Sequence, residues 1–313
     1  MTTMVSSVLS RDLTGQRVVI ANTQCFASIF LWASGFVALE FLVDDWGALS
    51  LNAIRLGVSA LFLMLWWILR DGLSVITQAP WSKGLTVGGL GWGIGSLLLF
   101  LGQRMSDPVT TTIVVAMMPL AGAATEMIFE KRRLLWGEYL GIGLALSGGY
   151  LATGVSLAKS EVGIGVALCF LAIFLFAWAT RATTRQLGDL TATGQTTVTM
   201  IGGAVVSFGL YLGFLAAGSV EVHIGPVTPS VIWPLFIFLL PSSGIAQLLW
   251  IIGAGRLGIM IASFHMNAAP FYVMVILATL FEAAWQPARI MGAVLVILGV
   301  IIAQSRQWNQ KAI

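Results

Sequence analysis

The C-terminal half of this 313-residue chain repeats its N-terminal half. An ungapped offset of 151 residues places Leu98 on Leu249, Gly102 on Gly253, Pro119 on Pro270, Gly141 on Gly292, Gly148 on Gly299 and Ala152 on Ala303. An odd number of long apolar runs separates equivalent residues. If each run crosses a bilayer, the two halves face opposite ways, the ground plan of proteins that open alternately to the two sides of a membrane.

With 58% hydrophobic and 9% charged residues, the chain has too little polarity to coat a soluble globule, and lipid is its expected solvent. A bilayer core of about 30 Å takes roughly 20 apolar residues at about 1.5 Å each. Ten such runs can be drawn: Val18 to Leu42, Leu49 to Leu69, Gly84 to Gln103, Pro108 to Phe129 and Trp136 to Val155 in the first half. Gly163 to Arg181, Thr193 to Ala217, Ile232 to Gly255, Ile259 to Phe281 and Ala288 to Gln304 follow in the second. The fold class expected is therefore all-α integral membrane, with ten transmembrane helices as two inverted five-helix repeats, residues 1–156 and 157–313, around a central cavity.

Cations set the orientation, because cytoplasmic loops accumulate Lys and Arg. With the N-terminus inside, twelve of the 16 Lys and Arg are cytoplasmic, Arg104, Lys159 and Arg289 lie opposite, and Arg55 falls within the second span. Both termini are thus expected on the cytoplasmic side, and no cleaved signal peptide is expected. The net charge of +3 is a topology signal and offers nucleic acid no basic face. Cys25 and Cys169 sit inside apolar runs as small hydrophobes, so no disulfide, metal site or cofactor is expected.

Trp32-Ala33-Ser34 in span one, Arg55 early in span two, Pro119 in span four, and the segment Gly141 to Ala152 with its echo Gly292 to Ala303 carry a resemblance. The chain resembles the EamA-like members of the drug/metabolite transporter superfamily, and within it looks most like YddG-type bacterial aromatic amino acid exporters. That resemblance implies an inner-membrane location and a midplane cavity enclosed by helices one, three, four, six, eight and nine, with five and ten outside.

Residues three, four, seven or eleven apart share a helix face. Span three so aligns Trp92, Ser96 and Gln103, and span eight aligns Ser243, Gln247 and Trp250. The 151 offset maps Trp92 on Ser243 and Ser96 on Gln247. Ser96 and Ser243 read as packing hydrogen bonds; for Gln103 and Gln247 packing and substrate contact stay open. Span one offers Gln24, Ser28 and Trp32; span six offers Trp178, which aligns with Trp32 at an offset of 146. Paired indoles can form the aromatic walls of a cavity. Trp66, Trp67, Trp81, Trp136, Trp285 and Trp308 lie near span ends and suit the interfacial belt. Span nine carries His265, Asn267 and Tyr272, with substrate contact favoured over proton relay for the histidine. Arg55 either meets a carboxylate, pairs with Asp44 or Glu40, or snorkels; Glu126 reads as part of an inner-rim ion pair. Pro119 and Pro270, which remove the backbone hydrogen bonds to Val115 and Met266, are candidate hinges. Gly88, Gly89, Gly91, Gly93 and Gly95 allow a close helix approach and are no phosphate loop.

No acidic residue occurs between Val18 and Leu39, which disfavours cation trapping by a carboxylate in the first helix. What remains is a mostly neutral pocket suited to a small zwitterion. The sequence therefore points to an exporter of neutral, preferentially aromatic, amino acids, working by alternating access. Another small amphiphile, such as a nucleobase or hydrophobic drug, is the alternative within transport. A membrane-embedded transferase would need clustered His, Asp or Glu and is disfavoured, so no enzymatic role is expected. The partners implied are the small-molecule substrate and the lipid bilayer, with a monomer sufficient.

Overall fold

The computed structural model describes residues 2–131, 136–153, 160–257 and 262–311, and every regular element among them is helical. The first half runs through α1 (Thr2–Glu40), α2 (Ala48–Asp71), the short α3 (Ser74–Gln78), α4 (Trp81–Gly88), a π-helical turn π1 (Gly89–Ile94), α5 (Gly95–Arg104), α6 (Pro108–Val115), α7 (Met118–Glu130) and α8 (Trp136–Thr153). The second runs through α9 (Ser160–Gln186), α10 (Ala192–Ala216), α11 (Pro229–Leu239), π2 (Leu240–Ile245), α12 (Ala246–Leu257), a 3₁₀ turn (Phe264–Ala268), α13 (Ala269–Leu280) and α14 (Pro287–Lys311).

Among the described residues, seven stretches are long and apolar enough to cross a bilayer: Arg17–Glu40, Ala48–Asp71, Trp81–Arg104, Pro108–Phe129, Gly163–Gln186, Ala192–Ala216 and Pro229–Leu257. They match the first four, sixth, seventh and eighth expected spans. The other three fall on α8 and on the shorter apolar stretches His265–Leu280 and Pro287–Gly299. Length and composition alone therefore do not deliver the expected ten crossings.

Sequence chemistry explains where these helices stop. Asp107 caps α6 by accepting from the backbone N–H of Val109 (2.9 Å) and Thr110 (3.1 Å), ahead of Pro108 in the first turn, where a missing N–H costs nothing. Gly72, at φ 84, ends α2 in a conformation that penalises a Cβ. The two π-turns fall at the repeat offset, Gly89 on Leu240 and Ile94 on Ile245. Glycines weaken the α-ladder in the first, and Pro241 removes a donor from the second.

Both prolines named as hinges sit in the first turn of a new helix. The chain before Pro119 closes as a turn at Ala116 and Met117, and the chain before Pro270 as the 3₁₀ turn. The expected kink thus takes the form of a local change of winding in both halves, a two-residue turn in one and a 3₁₀ turn in the other. The Met266 carbonyl, expected to lose its partner, accepts from the Ala269 N–H instead.

Glycine contacts hold the bundle together. A Cβ on Gly88 would collide with the Thr199 carbonyl, and one on Gly202 with the Gly84 carbonyl, so α4 and α10 touch backbone to backbone. The glycine run thus meets the second half's Gly202 and Gly203. α8 and α14 pack chiefly on each other, with Gly148 against Gly292, away from the centre. Among the tryptophans placed at span ends, Trp66, Trp136 and Trp285 are exposed. Trp67 is instead buried against Gly194 and Val198, because that side of α2 faces α10 and not lipid. The side chains of Glu126 and Trp308 lie outside the described residues.

A central cavity as the candidate functional site

Helix α1 supplies Ser28 and Trp32, α2 supplies Arg55, π1 and α5 supply Trp92 and Ser96, and α9 supplies Phe176 and Thr180 to one central cavity. Ser243 of π2, with Gln247 and Trp250 of α12, completes the polar part of the wall, and Met118, Met200 and Met266 fill between. The space among and beside these side chains, open solvent included, is about 610 Å³, but only about 50 Å³ admits a water. That is room for a few waters and well short of the several hundred Å³ that fitted ligands occupy. The cavity is contracted, and a solute enters only if side chains or helices move.

Aromatic rings fill most of the space. Trp92 stacks on Phe176 (centroids 5.5 Å, 30°), and Phe176 stands edge-on to Trp32 at 6.3 Å. Two polar arrangements hold this wall. Ser28 donates to the Ala246 carbonyl at 2.7 Å, tying α1 to the end of π2. Asn52 of α2 donates to the Gly93 carbonyl (3.0 Å) and Ser207 Oγ (2.8 Å), and accepts from Ser96 at 2.5 Å. Asn52 thus clamps π1 between α2 and α10. Asn52→Ala strips three buried hydrogen bonds and is expected to cost about 2 kcal/mol of stability. Denaturant unfolding in micelles measures it, and a loss below about 0.5 kcal/mol would reduce Asn52 to an ordinary surface-like position.

Among the described residues, five of the nine buried side-chain polar atoms without a hydrogen-bond partner belong to this cavity: Arg55 Nε, Trp92 Nε1, Thr180 Oγ1, Ser243 Oγ and Gln247 Nε2. Buried polar groups are normally paired, because leaving one unmade costs about 1–3 kcal/mol. Such a cluster in one place marks a surface awaiting a partner.

The cavity is sealed towards the α1–α2 connection. Phe100 and Phe238 pack with Leu39, Leu42 and Trp46 there. Above them, Glu221 takes two contacts from Arg104 (2.9 and 3.0 Å) and one from the Ala48 N–H (3.2 Å), and the Gly47 N–H donates to the His223 carbonyl (2.9 Å). This strap joins the α10–α11 connection to α2 and α5.

Of the residues named from sequence, Ser28, Trp32, Trp92, Gln247 and Trp250 meet in the cavity. Gln24 accepts from Arg256 (3.0 Å) beyond one end; Gln103 donates to the Phe36 carbonyl (2.8 Å) beyond the other. His265 is buried edge-on against Phe26 at 4.5 Å, its Nδ1 at 3.1 Å from the Ala262 carbonyl, and Tyr272 stands edge-on to Phe30 at 5.5 Å. These contacts pack α13 and the 3₁₀ turn on α1, and His265, Asn267 and Tyr272 are not part of the cavity wall. Trp178 packs on the central core outside the cavity.

Register explains Trp178. Cys169 of α9 faces Gly102 of α5, and Cys25 of α1 faces Gly253 of α12. These matched contacts relate span one to span six by 144 residues, so Trp32 corresponds to Phe176. A two-residue difference rotates a helical position by about 200°. Ser96 and Ser243, read as packing groups, both line the cavity; Ser96 does make a packing hydrogen bond, to Asn52, whereas Ser243 has no partner among the described residues. Arg55, Leu56 and Met200 bring α2 and α10 into the wall, beyond the six helices the resemblance implied; none of the described residues of α8 and α14 lines it.

Among the described residues, seven bilayer-length apolar helices around a polar-lined centre define a multi-pass membrane protein. Residues 19–154, less than half of the chain, match the EamA-like transporter family. A relative from Bacillus subtilis (strain 168), described as "Uncharacterized transporter YyaM", is 25% identical over 282 residues, covering 88% of this chain and 90% of the relative. A solved structure described only as "Crystal structure of protein" superposes with a TM-score of 0.68 at 18% identity, over 91% of this chain and 96% of that one. This second likeness concerns the fold alone.

Proposed function

We propose that this chain exports small solutes with an apolar, typically aromatic, body, neutral aromatic amino acids among them, across the bacterial inner membrane. It works by alternating access of the central cavity, as two inverted repeats, residues 1–156 and 157–313, ten crossings in all, with both termini cytoplasmic. The observation that carries this reading is the convergence of five unpartnered polar atoms and three indoles on one sealed cavity. Indoles stack on flat rings, and unpaired donors recover their lost hydrogen bonds only when a solute arrives.

Matched breaks support the motion. The π-turns π1 and π2, and the helix starts at Pro119 and Pro270, recur at one offset in both halves. Segments on either side of such breaks can tilt without breaking a continuous ladder. The Arg104–Glu221 strap lies on the outer side in this topology. The contracted cavity then corresponds to a closed state of the cycle, and opening requires the strap to part.

Counterflow in liposomes with labelled tryptophan, phenylalanine, threonine and a cationic dye tests the reading. Exchange of tryptophan and phenylalanine ahead of threonine is expected. Uptake of the dye alone overturns it, since among the described wall residues no carboxylate is present to hold a cation.

A further inference from the structure

Arg55 is the one ionisable side chain in the described cavity wall, and it is 8% exposed. It sits seven residues into α2, about 10 Å along the helix, too far inside for its head to reach the Ala48 end freely. Neither Asp44 nor Glu40, the anions available from sequence, pairs with it. Glu40 lies near Gln103 (3.4 Å), and among the described residues the guanidinium has no ion pair or hydrogen bond. Its neighbours are two rings, Phe100 and Phe238, with centroids 5.0 and 5.2 Å from Cζ and 5.2 Å from each other. Those three distances make a nearly equilateral triangle. Both rings therefore back the guanidinium from one side, and the opposite side is left to the cavity.

A desolvated cation costs several kcal/mol unless a counter-charge arrives. Ring quadrupoles return part of that cost without satisfying the N–H fork, whose geometry fits a carboxylate. The other unpartnered atoms agree. Trp92 Nε1 is donor-only, and Thr180 and Ser243 hydroxyls can donate. A donor-rich wall carrying one positive charge and, among its described residues, no acidic side chain is complementary to a monoanion. An ammonium on the same solute finds hydroxyls to accept from it but no charge to balance it.

Resting on the reading of an aromatic-solute transporter, we infer that Arg55 is the receptor for the solute's carboxylate, and that the cavity ranks a monoanionic aryl-alkanoate above the amino acid bearing the same ring. The carboxylate points toward the Phe100–Phe238 end and the ring lies among Trp92, Phe176 and Trp250.

The test is calorimetric binding to the full chain in nanodiscs, with indole-3-propionate, tryptophan, tryptamine and hexanoate as probes. The expected order is indole-3-propionate, then tryptophan, then tryptamine. Arg55→Gln should weaken both indole carboxylates by roughly 10- to 100-fold, the size of a lost charge-assisted hydrogen bond, while tryptamine binding is unchanged or improved. Arg55→Lys, which keeps the charge and loses the fork, should fall between. If the glutamine variant does not fold, the wild-type order and the lysine variant decide. Tryptamine binding as tightly as indole-3-propionate, or carboxylate binding indifferent to Arg55 in a folded variant, overturns the inference, as does failure of every carboxylate to bind. Tryptophan ahead of indole-3-propionate overturns the ranking. Arg55-dependent binding of hexanoate without any indole would sustain the receptor and sink the aromatic reading instead.

Discussion

Gly88→Ala is expected to yield no folded, monodisperse protein, although it adds a single methyl group. The new Cβ would meet the Thr199 carbonyl of α10, and backbone cannot step aside as a flexible side chain can. Gly84, Gly88, Gly202 and Gly203 form one interlock, so relief means separating α4 from α10 along their contact, at a cost of about 3 kcal/mol or more. The Asn52 clamp lies farther along the same contact and would be pulled apart with it. Gly57→Ala is the matched control, because nothing lies within 4 Å of its added Cβ. There the exchange should be neutral or stabilising by about 0.5–1 kcal/mol, the helix-propensity gain. Size-exclusion profiles and thermal unfolding of the two variants give the comparison, and a well-folded Gly88→Ala protein would refute the interlock.

Loss of transport is expected from the Trp92 indole. Trp92→Phe keeps a ring against Phe176 and removes only the unpartnered Nε1–H, so the fold should persist while solute affinity drops about tenfold, the value of one buried donor. Trp92→Ala goes further. It empties a core site at a stability cost of about 3–5 kcal/mol and removes a stacking face, and uptake should fall to background. Trp66→Ala changes a ring 49% exposed on the bundle surface and should leave uptake intact. Counterflow of labelled tryptophan in matched proteoliposomes reads all three, and undiminished uptake by Trp92→Ala would remove this cavity from the solute's path.

Helical periodicity grouped residues on shared faces, but the cavity reaches only part of each stripe. Gln24, Ser28 and Trp32 share one face of α1, and Trp92, Ser96 and Gln103 one face of the span that holds π1. The cavity is short, and Gln103 lies about 10 Å past Ser96, where it bonds to the Phe36 carbonyl. Gln24 overshoots at the other end. A repeating polar stripe carries no mark of where a cavity closes, because closure depends on side chains from other helices. Arg55 shows the same limit from the other direction. Its charge was visible, but its isolation from Asp44 and Glu40 depends on how α2 meets α5 and α11.

Composition and hydropathy by themselves determined that the chain lives in lipid, because 9% charged residues cannot solvate a bundle of this size. The 151-residue repeat likewise determined that breaks come in pairs, since glycine and proline act on the local backbone. Tertiary structure decided what those paired elements surround. Only helix packing set the 144-residue register that puts Phe176 in the place assigned to Trp178, turned His265 against Phe26, and left Arg55 facing an acid-free cavity wall. Each of these depends on contacts between residues distant in sequence, whose energies no local pattern contains.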